Sequence, residues 1–554
     1  MNGGAAMANA CWLASNMAAR QRFHRALAAP AETQHAWLQA QLARHAASDF
    51  GNGHDFAAIA DYAGFARRVP LADYDDFAPW IGRIRRGDTM VLSIDPVTHF
   101  APTSGSSGAR KLIPFTRGLT TAFDAAVGPW MLDLAHRRPR LVGGPAYWSV
   151  SPLSTTETIA DPARTSDNAG AVPIGFADDA EYLGGAKAWL VRRAMAVPAS
   201  IRHVRDERAF WCLSLLALLR QPELRLISVW HPSFLELLVA AAVEAWSELL
   251  EAVASGSNPW EVALPSAAHA AWRAPANRVR AAALRRIGAS NWPAWWPRLQ
   301  VVSCWGEQAA QSGCDRLRSR CAEDAPRVLV QRKGLLATEA VVTVPFADAL
   351  PLAVCSHYFE FLQDDGDIRR AHELRPGAHY EVIVTNGGGL WRYRLGDVVE
   401  CTGHLAATPT LRFLGRGGHV SDLRGEKLSE PFVAEALRGL WGDDPAPAVA
   451  VLRGWERGAA AGYELLLSTE SLAGSVERVA QRLEALLWEN PHYALARRLG
   501  QLAPLQVVTI GEDDARDALR AHAGRLGEAK PRTLVRAPTR ETGRHPAHTG
   551  RTAI

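Results

Sequence analysis

The sequence predicts an α/β protein with a large N-terminal domain, in which helices flank β-sheets, and a small C-terminal α+β domain. Its 554 residues are more than one hydrophobic core usually serves. Short β-branched segments alternate with helical stretches over most of the chain, which is typical of α/β folds. The composition changes near Leu411, and strand and helix patterns of a small α+β domain follow. Two domains are therefore expected.

The composition excludes several classes of protein. Apolar residues make up 48% of the chain and charged residues 21%, which is a globular balance rather than a disordered one. A net charge of +4 is too small for nucleic acid to be a main partner. No stretch approaches the roughly 18 apolar residues of a membrane span, and the first residues lack a signal-peptide pattern. The seven cysteines include no C-x-x-C pair, so a structural zinc site is not expected. We expect reduced thiols and a cytoplasmic protein.

The elements follow from local patterns. Residues 1 to 90 are predicted to form surface helices that cover a larger domain, and further helices are predicted at Leu119–Arg140 and Trp189–Glu251. Candidate strands of the large domain are Leu299–Cys304, Arg327–Val330, Val341–Val344 and Tyr380–Thr385. The predicted domains are residues 1–414 and 415–535, and the Arg-, Pro- and His-rich tail 536–554 is predicted to lack fixed structure.

The sharpest motif is a Gly/Ser loop that ends in a basic pair. Its residues are Thr103, Ser104, Gly105, Ser106, Ser107 and Gly108, and Lys111 follows. Four hydroxyls and two glycines supply many donors and a backbone that can approach a polyphosphate closely, and Lys111 adds a cation. The spacing does not match a Walker loop. A flexible linker is the alternative, but linkers are seldom this short between strands and seldom end in two cations.

The second motif is a predicted hairpin that contains three glycines. Tyr380–Thr385 leads to Gly387–Gly389, which are expected to bend the chain toward a ligand, and the return strand ends at Asp397. A carboxylate at a strand end suits two hydrogen bonds to the hydroxyls of a ribose. Taken alone, Asp397 after Gly396 equally fits a turn-forming residue.

Three weaker signals complete the set. Gly-Arg-Gly-Gly at 415–418, which includes Arg416, indicates an interdomain hinge, although a surface turn explains the glycines equally well. Thr338 and Glu339 lie in a predicted loop, where a hydroxyl beside a carboxylate can hold a phosphate and its magnesium ion. Lys530 lies in a late basic turn that would otherwise pass for a solvated chain end.

Taken in order, these five segments resemble the motifs of the adenylate-forming enzymes. Within that superfamily the chain is most similar to the auxin-responsive-promoter family of acyl acid–amido synthetases. Three further segments support this resemblance: Arg68–Tyr74, His357–Phe361 and Glu381–Gly403. The resemblance extends over nearly the whole chain, from about residue 50 to about residue 535.

The resemblance implies a large adenylation domain, a mobile C-terminal domain, and an ATP- and magnesium-dependent ligase. Such an enzyme converts a carboxylic acid into an acyl-adenylate and then transfers the acyl group to an amino acid or other amine. Its implied site residues are Ser104 to Gly108 and Lys111 for the β- and γ-phosphates, Thr338 for the α-phosphate, Glu339 for magnesium, Asp397 with Arg416 for the ribose, and Lys530 for adenylation. The small domain would rotate to admit the amine.

Two other functions stay open at this level. The acyl group could pass to a thiol, either of coenzyme A or of a carrier protein. The second alternative is a non-catalytic binding protein with the same fold, although the intact loop, Asp397 and Lys530 argue against it.

The segment Leu226–Phe234 resembles one that flanks the acyl pocket. Trp230 would then form an aromatic wall. Alternatively, Trp230 is a core residue and His231 caps the following helix.

Overall fold

The computed structural model describes residues 3–104, 110–149, 172, 185–307, 310–363, 365–416, 420–441, 450–458, 460–468, 476–510 and 534–535. The chain separates into two compact units, with the main boundary between residues 418 and 419. Both units combine helices with sheets, which confirms the predicted fold class. The predicted tail 536–554 lies outside the described residues. Within the described part of the chain, no helix is long and apolar enough to cross a membrane.

The first unit opens with helices α1 (Gly3–Ser15), α2 (Met17–Ala26), α3 (Pro30–His45), α4 (Asp49–Gly53), α5 (Tyr62–Arg68) and α6 (Tyr74–Arg85). Their apolar faces are buried; Phe23, Leu38 and Phe65 belong to the same hydrophobic cluster as the central strands. The helices expected to cover a larger domain are therefore present, and each contributes its apolar face to the core while its other face is exposed.

A β-hairpin and a long helix follow. Strands β1 (Val97–Ser104) and β2 (Arg110–Thr116) are antiparallel, with Thr103 opposite Lys111 and Ser104 opposite Arg110. Helix α7 (Arg117–Arg137) starts directly after β2, where the Thr116 hydroxyl accepts the Leu119 N–H at 3.2 Å and caps the helix. The predicted phosphate loop therefore connects two paired strands.

A parallel sheet forms the next layer. Its described strands are β3 (Ala146–Trp148), β4 (Leu226–Ser228), β5 (Val301–Cys304) and β6 (Leu329–Arg332), paired in that order. The helices of this region are α8 (Gly185–Ala194), α9 (Glu207–Leu219), α10 (Pro232–Glu244), α11 (Trp246–Ser255), α12 (His269–Trp272), α13 (Arg278–Ile287), α14 (Trp292–Trp295) and α15 (Gln311–Asp324). The carboxyl ends of parallel strands share one edge, which is where α/β proteins bind ligands.

An antiparallel sheet completes the first unit. Its strands are β7 (Tyr358–Leu362), β8 (Ile368–Arg370), β9 (His379–Thr385), β10 (Tyr393–Leu405) and β11 (Thr408–Arg416), in the order β11-β10-β9-β7-β8. The predicted strand Val341–Val344 is wrong, because that segment makes only isolated bridges, from Val341 to Leu336 and from Thr343 to Leu352. Its apolar residues are nevertheless buried, which explains the strand-like pattern.

The second unit is a small α+β domain. Its elements are β12 (Val420–Ser421), β13 (Leu428–Ser429), α16 (Glu430–Trp441), β14 (Ala450–Arg457), β15 (Ala460–Ser468), α17 (Val476–Leu487), α18 (Pro491–Arg498), β16 (Gln506–Ile510) and β17 (Leu534–Val535). The sheet has the order β16-β15-β14-β17. Helices α16 and α17 contribute Val433, Leu483 and Leu487 to its core.

One buried ion pair joins three parts of the first unit. Arg392, which precedes β10, is 3% exposed, and its Nη2 and Nε donate to the Glu360 carboxylate of β7 at 2.7 and 2.9 Å. The Nη1 atom donates to the carbonyl oxygens of Ala66 and Val69 at the end of α5, at 3.1 and 2.8 Å. Tyr62 donates its hydroxyl to Glu360 at 2.9 Å. The pair therefore fixes α5 and the start of β10 to the sheet.

Arg392→Ala is expected to lower the free energy of unfolding by about 3–5 kcal/mol, because it leaves the Glu360 carboxylate buried without its cation. Arg394→Ala is the matched control. Arg394 is two residues away and pairs with Glu381, but its side chain is 46% exposed, so its loss should cost less than about 1 kcal/mol. Urea unfolding of both variants measures the difference. Equal losses would contradict the structural role of the buried pair.

Candidate functional site

The predicted site residues fall on several elements of the first unit. Thr103 and Ser104 end β1, Lys111 lies on β2, Asp397 lies within β10, and Arg416 ends β11. Thr338 and Glu339 form the tip of a tight turn between β6 and β7. Gly105, Ser106, Ser107, Gly108 and Lys530 lie outside the described residues.

Lys111 is held against two tyrosine rings. Its Nζ lies 3.4 Å from the hydroxyl oxygen of Tyr393, the first residue of the Y-R-x-G-D segment. The same atom lies 5.3 Å from the centroid of the Tyr74 ring and 6.0 Å from that of Tyr393, within the range of cation–π attraction. The Tyr74 hydroxyl accepts the Leu112 N–H at 2.8 Å. The cation after the Gly/Ser loop is thus held beside the second motif.

Lys111, Tyr74 and Tyr393 form one group of contacts, because the Lys111 ammonium lies against both tyrosines. We call these three residues the Tyr74 cluster. Burial raises the pKa of Tyr74, and the negative charges of Asp75 and Glu339 add to that rise. Glu339, in the turn, is itself 5% exposed.

Two buried side chains hold the turn in place. The Ala337 N–H donates to the Ala340 carbonyl at 2.8 Å and closes the turn. The side-chain amide of Asn386 donates to the Glu339 carbonyl at 2.8 Å. The Val341 N–H donates to Nε2 of His357 at 3.2 Å. These contacts fix the direction of the turn relative to the antiparallel sheet.

Asp397 lies inside β10 and not at a strand end, so that prediction is wrong. The pairing of β10 with β9 passes from Arg394–Ile383 directly to Val398–Glu381, which leaves two extra residues on β10. Gly396 in this bulge has φ +74°, a conformation that favours glycine. The bulge redirects the chain locally, as bulges near active sites do. Asp397 is 3% exposed and lies opposite Arg416 in the pairing of β10 with β11.

The three glycines are buried and pack against other segments of the chain, which gives a structural reason for them besides the predicted approach to a ligand. A Cβ at Gly387 would lie 2.6 Å from the carbonyl carbon of Gly118, and one at Gly389 would lie 2.7 Å from the Cβ of Leu92. The Thr116 hydroxyl donates to the Gly387 carbonyl at 2.8 Å. Glycine is needed here because two backbones approach closely.

The motifs alone assign no role to Tyr74, Asn386 and His357, although all three position predicted site residues. Tyr74 and His357 lie in segments that carry the family resemblance, and Asn386 directly precedes the glycines. Their positions in those segments are the only sequence signal that could have identified them.

The segment after β4 contains Trp230 and His231, for which the sequence allows two interpretations. His231 accepts the Ser233 N–H through Nδ1 at 3.2 Å and caps α10, as one of the two interpretations predicts. Trp230 is 48% exposed, so it is not a core residue. The Lys333 ammonium lies 4.8 Å from the Trp230 ring centroid. An aromatic ring and a cation therefore stand together at the carboxyl edge of the parallel sheet.

Family models match most of the first unit. The GH3 family N-terminal domain matches residues 19–326 and the GH3 family central domain matches residues 350–416. The chain belongs to the GH3 family. This confirms the resemblance to acyl acid–amido synthetases that the motifs indicate.

Curated GH3 relatives include two from Oryza sativa subsp. japonica. A probable indole-3-acetic acid-amido synthetase is 26% identical over 471 residues, which are 74% of this chain and 72% of the relative. A jasmonoyl–L-amino acid synthetase is 24% identical over 438 residues, or 72% of this chain and 73% of the relative. Both relatives therefore cover the greater part of this chain.

Solved structures agree on the fold. An acyl acid amido synthetase, AtGH3.15 in complex with 2,4-DB, superposes with a TM-score of 0.64 at 17% identity and covers 94% of both chains. A 2-hydroxyisobutyryl-CoA ligase gives a TM-score of 0.50 at 14% identity and covers 92% of this chain and 91% of the ligase. At these identities the likeness shows the fold, which this GH3 chain shares with adenylate-forming enzymes.

The stability of this GH3 protein should fall with acidification because of buried histidines. Burial lowers the pKa of His357 to about 3 and that of His45 to about 4. The unfolded chain takes up protons near pH 6.5 while the folded chain does not, so the free energy of unfolding decreases as the pH falls from 6.5 toward these values. Each histidine contributes up to about 1.4 kcal/mol per pH unit in that window.

Urea unfolding at pH 7.0 and 5.5 measures this loss. His357→Gln keeps a hydrogen-bond acceptor for Val341 but cannot be protonated, so its stability should depend less on pH than that of the wild-type protein. An identical loss in both proteins would show that His357 is not a source of the pH dependence.

Proposed function

We propose that this chain is an ATP-dependent acid–amino acid ligase. It activates a carboxylic acid as an acyl-adenylate, releases pyrophosphate, and transfers the acyl group to an amino acid or other amine to form an amide. The observation that carries this function is the Tyr74 cluster, in which the cation after the Gly/Ser loop lies against the first tyrosine of the Y-R-x-G-D segment within a GH3-family chain. The curated relatives are named for amide synthesis on indole-3-acetic acid and jasmonic acid, which supports the same reaction type here.

The phosphate groups of ATP are assigned to the hairpin of β1 and β2. The residues from Thr103 to Gly108 would donate backbone and hydroxyl hydrogen bonds to the β- and γ-phosphates. Lys111 would add positive charge, and its packing between two tyrosine rings supports a fixed position for that charge. Preorganised donors and cations stabilise the charge that builds up when a carboxylate attacks a phosphate.

The α-phosphate and the ribose are assigned to the turn and the bulge. Thr338 would donate to the α-phosphate from the tip of its turn. Asp397 would accept the two ribose hydroxyls, with Arg416 beside it, and the cross-strand pairing of these two residues supports this assignment. Charge-assisted hydrogen bonds of this kind are about twice as strong as neutral ones.

Magnesium is assigned to Glu339. Mg²⁺ is commonly held by one or two carboxylates together with substrate phosphates and water, and Glu339, a buried acidic residue next to the proposed α-phosphate ligand Thr338, fits that requirement. Among the described residues, no group of three or more His, Cys, Asp or Glu side chains is arranged for a metal ion, so phosphates would supply the remaining ligands. When bound, magnesium would neutralise phosphate charge.

The small C-terminal domain is assigned the role of a mobile lid, with residues 415–418 as its hinge. Lys530 on this domain would bring a cation to the α-phosphate and the substrate carboxylate during adenylation. Rotation of the domain would then admit the amine. We propose that the reaction takes place in the cytoplasm, on small-molecule acids and amines.

The function is tested by pyrophosphate release across a panel of carboxylic acids, each then offered amino acids, other amines or coenzyme A. At least one acid should release pyrophosphate, and an amine should then release AMP without any thiol present. Release of AMP only with coenzyme A would instead favour thioester formation, the alternative that the fold also accommodates. No pyrophosphate release with any acid would contradict adenylation itself.

Asp397→Ala should weaken the binding of ATP and AMP equally, because both carry the ribose. The loss of two hydrogen bonds to a carboxylate corresponds to about 2–4 kcal/mol. Asp397→Asn keeps the shape of the side chain and separates lost charge from lost packing. Glu381→Gln is the control on the neighbouring strand β9, where the carboxylate pairs with the exposed Arg394. Calorimetry that shows unchanged AMP affinity for Asp397→Ala would reject the ribose role.

A further inference from the structure

Glu307 is a buried carboxylate to which the proposed reaction assigns no role. It lies three residues after β5, at the carboxyl edge of the parallel sheet, and is 8% exposed. Its Oε2 accepts the backbone N–H of Phe413 in β11 at 2.7 Å. The ring of Trp305 meets the ring of Phe413 edge to face, with centroids 5.4 Å apart. The loop after β5 thus holds β11 through one hydrogen bond and one aromatic contact.

The contact falls next to an irregularity in β11. Val399 lies opposite Phe413, but Val398 lies opposite Gly415, so Leu414 is an extra residue on β11. Asp397 and Arg416 are paired on the other side of this bulge. A bulge interrupts the regular hydrogen bonds between two strands, and the hydrogen bond from the Phe413 N–H to Glu307 restricts the backbone of β11 at this point. Glu307 therefore helps to hold the end of β11 that carries Arg416.

The charge of Glu307 changes near neutral pH. Burial raises its pKa to about 7, while the Phe413 N–H and the guanidinium groups of Arg332 and Arg412 act in the opposite direction. Each arginine also has a carboxylate partner, Asp315 for Arg332 at 3.6 Å and Glu400 for Arg412. The ionised carboxylate is a stronger acceptor than the neutral acid, so the hold on Phe413 should tighten as the pH rises through 7.

We propose that Glu307 is a positioning residue for nucleotide binding. By accepting the Phe413 N–H it fixes the bulged end of β11, and with it the pairing of Arg416 with Asp397. The effect on nucleotide binding depends on the proposed function, because it assumes that Asp397 binds the ribose. The effect on the strand itself does not depend on that function.

The first measurement follows amide hydrogen exchange in β11, without any nucleotide present. Hydrogen–deuterium exchange of residues 408–416, corrected for the intrinsic effect of pH, should show about tenfold more protection at pH 8 than at pH 6 in the wild-type protein. Glu307→Gln retains a neutral acceptor, so its protection should stay at the lower level at both pH values. Glu307→Ala should be less protected still. Glu381→Gln is the matched control, since it removes a carboxylate from Arg394 of β10 and leaves Phe413, Arg332 and Arg412 untouched, and it should follow the wild-type protein.

The second measurement uses adenosine, which carries the ribose and does not titrate between pH 6 and 8. Its affinity, measured by calorimetry, should rise about tenfold over that range in the wild-type protein and in Glu381→Gln, and should stay flat in Glu307→Gln. A Glu307→Gln profile identical to the wild-type profile, in either measurement, would overturn the positioning role. If neither adenosine nor ATP binds, the nucleotide function fails, and hydrogen exchange alone then decides whether Glu307 holds the strand.

Discussion

Arg392 and Glu360 form an ion pair that is almost completely buried, and the position of the Tyr74 cluster depends on it. The guanidinium group holds the carbonyl oxygens at the end of α5, so the chain that leaves this helix must run beside the start of β10. Ala72 then exchanges backbone hydrogen bonds with Arg392 and Arg394 at 3.2 and 2.9 Å. Two residues later Tyr74 is in place for its contacts with Lys111 and Leu112. One charge pair thus positions residues from distant parts of the sequence.

Three irregular features of the backbone lie close to residues to which the chemistry is assigned. Arg392 has φ +48°, Gly396 has φ +74°, and the β10–β11 pairing slips at Leu414. Each lies within a few residues of Tyr393, Asp397 or Arg416. Only the φ of Arg392 carries a steric cost, because glycine adopts positive φ freely. The buried ion pair of Arg392 with Glu360 holds that residue in place.

The motifs directed attention to segments of the first unit, and the structure corrects several details of their local conformation. Lys111, Glu339 and Asp397 all lie in the first unit, as the motif order implied. The close approach of Gly387 to Gly118 could not be told from close approach to a ligand, because both require the same absence of a Cβ. The strand predicted at Val341–Val344 failed for a related reason. A buried loop and a buried strand have the same apolar pattern, and only hydrogen-bond partners distinguish them.

The sequence by itself determined the fold class and the family, because apolar periodicity depends on neighbouring residues and the motifs are recognised from their residues and their order along the chain. Only the tertiary structure decided which side chains meet. Glu307 and the N–H of Phe413 are 106 residues apart in the chain, and Lys111 and Tyr393 are 282 apart. Such contacts depend on strand register and on how the helices and sheets of the first unit pack. A shift of one residue in the register would break them while leaving every local pattern unchanged.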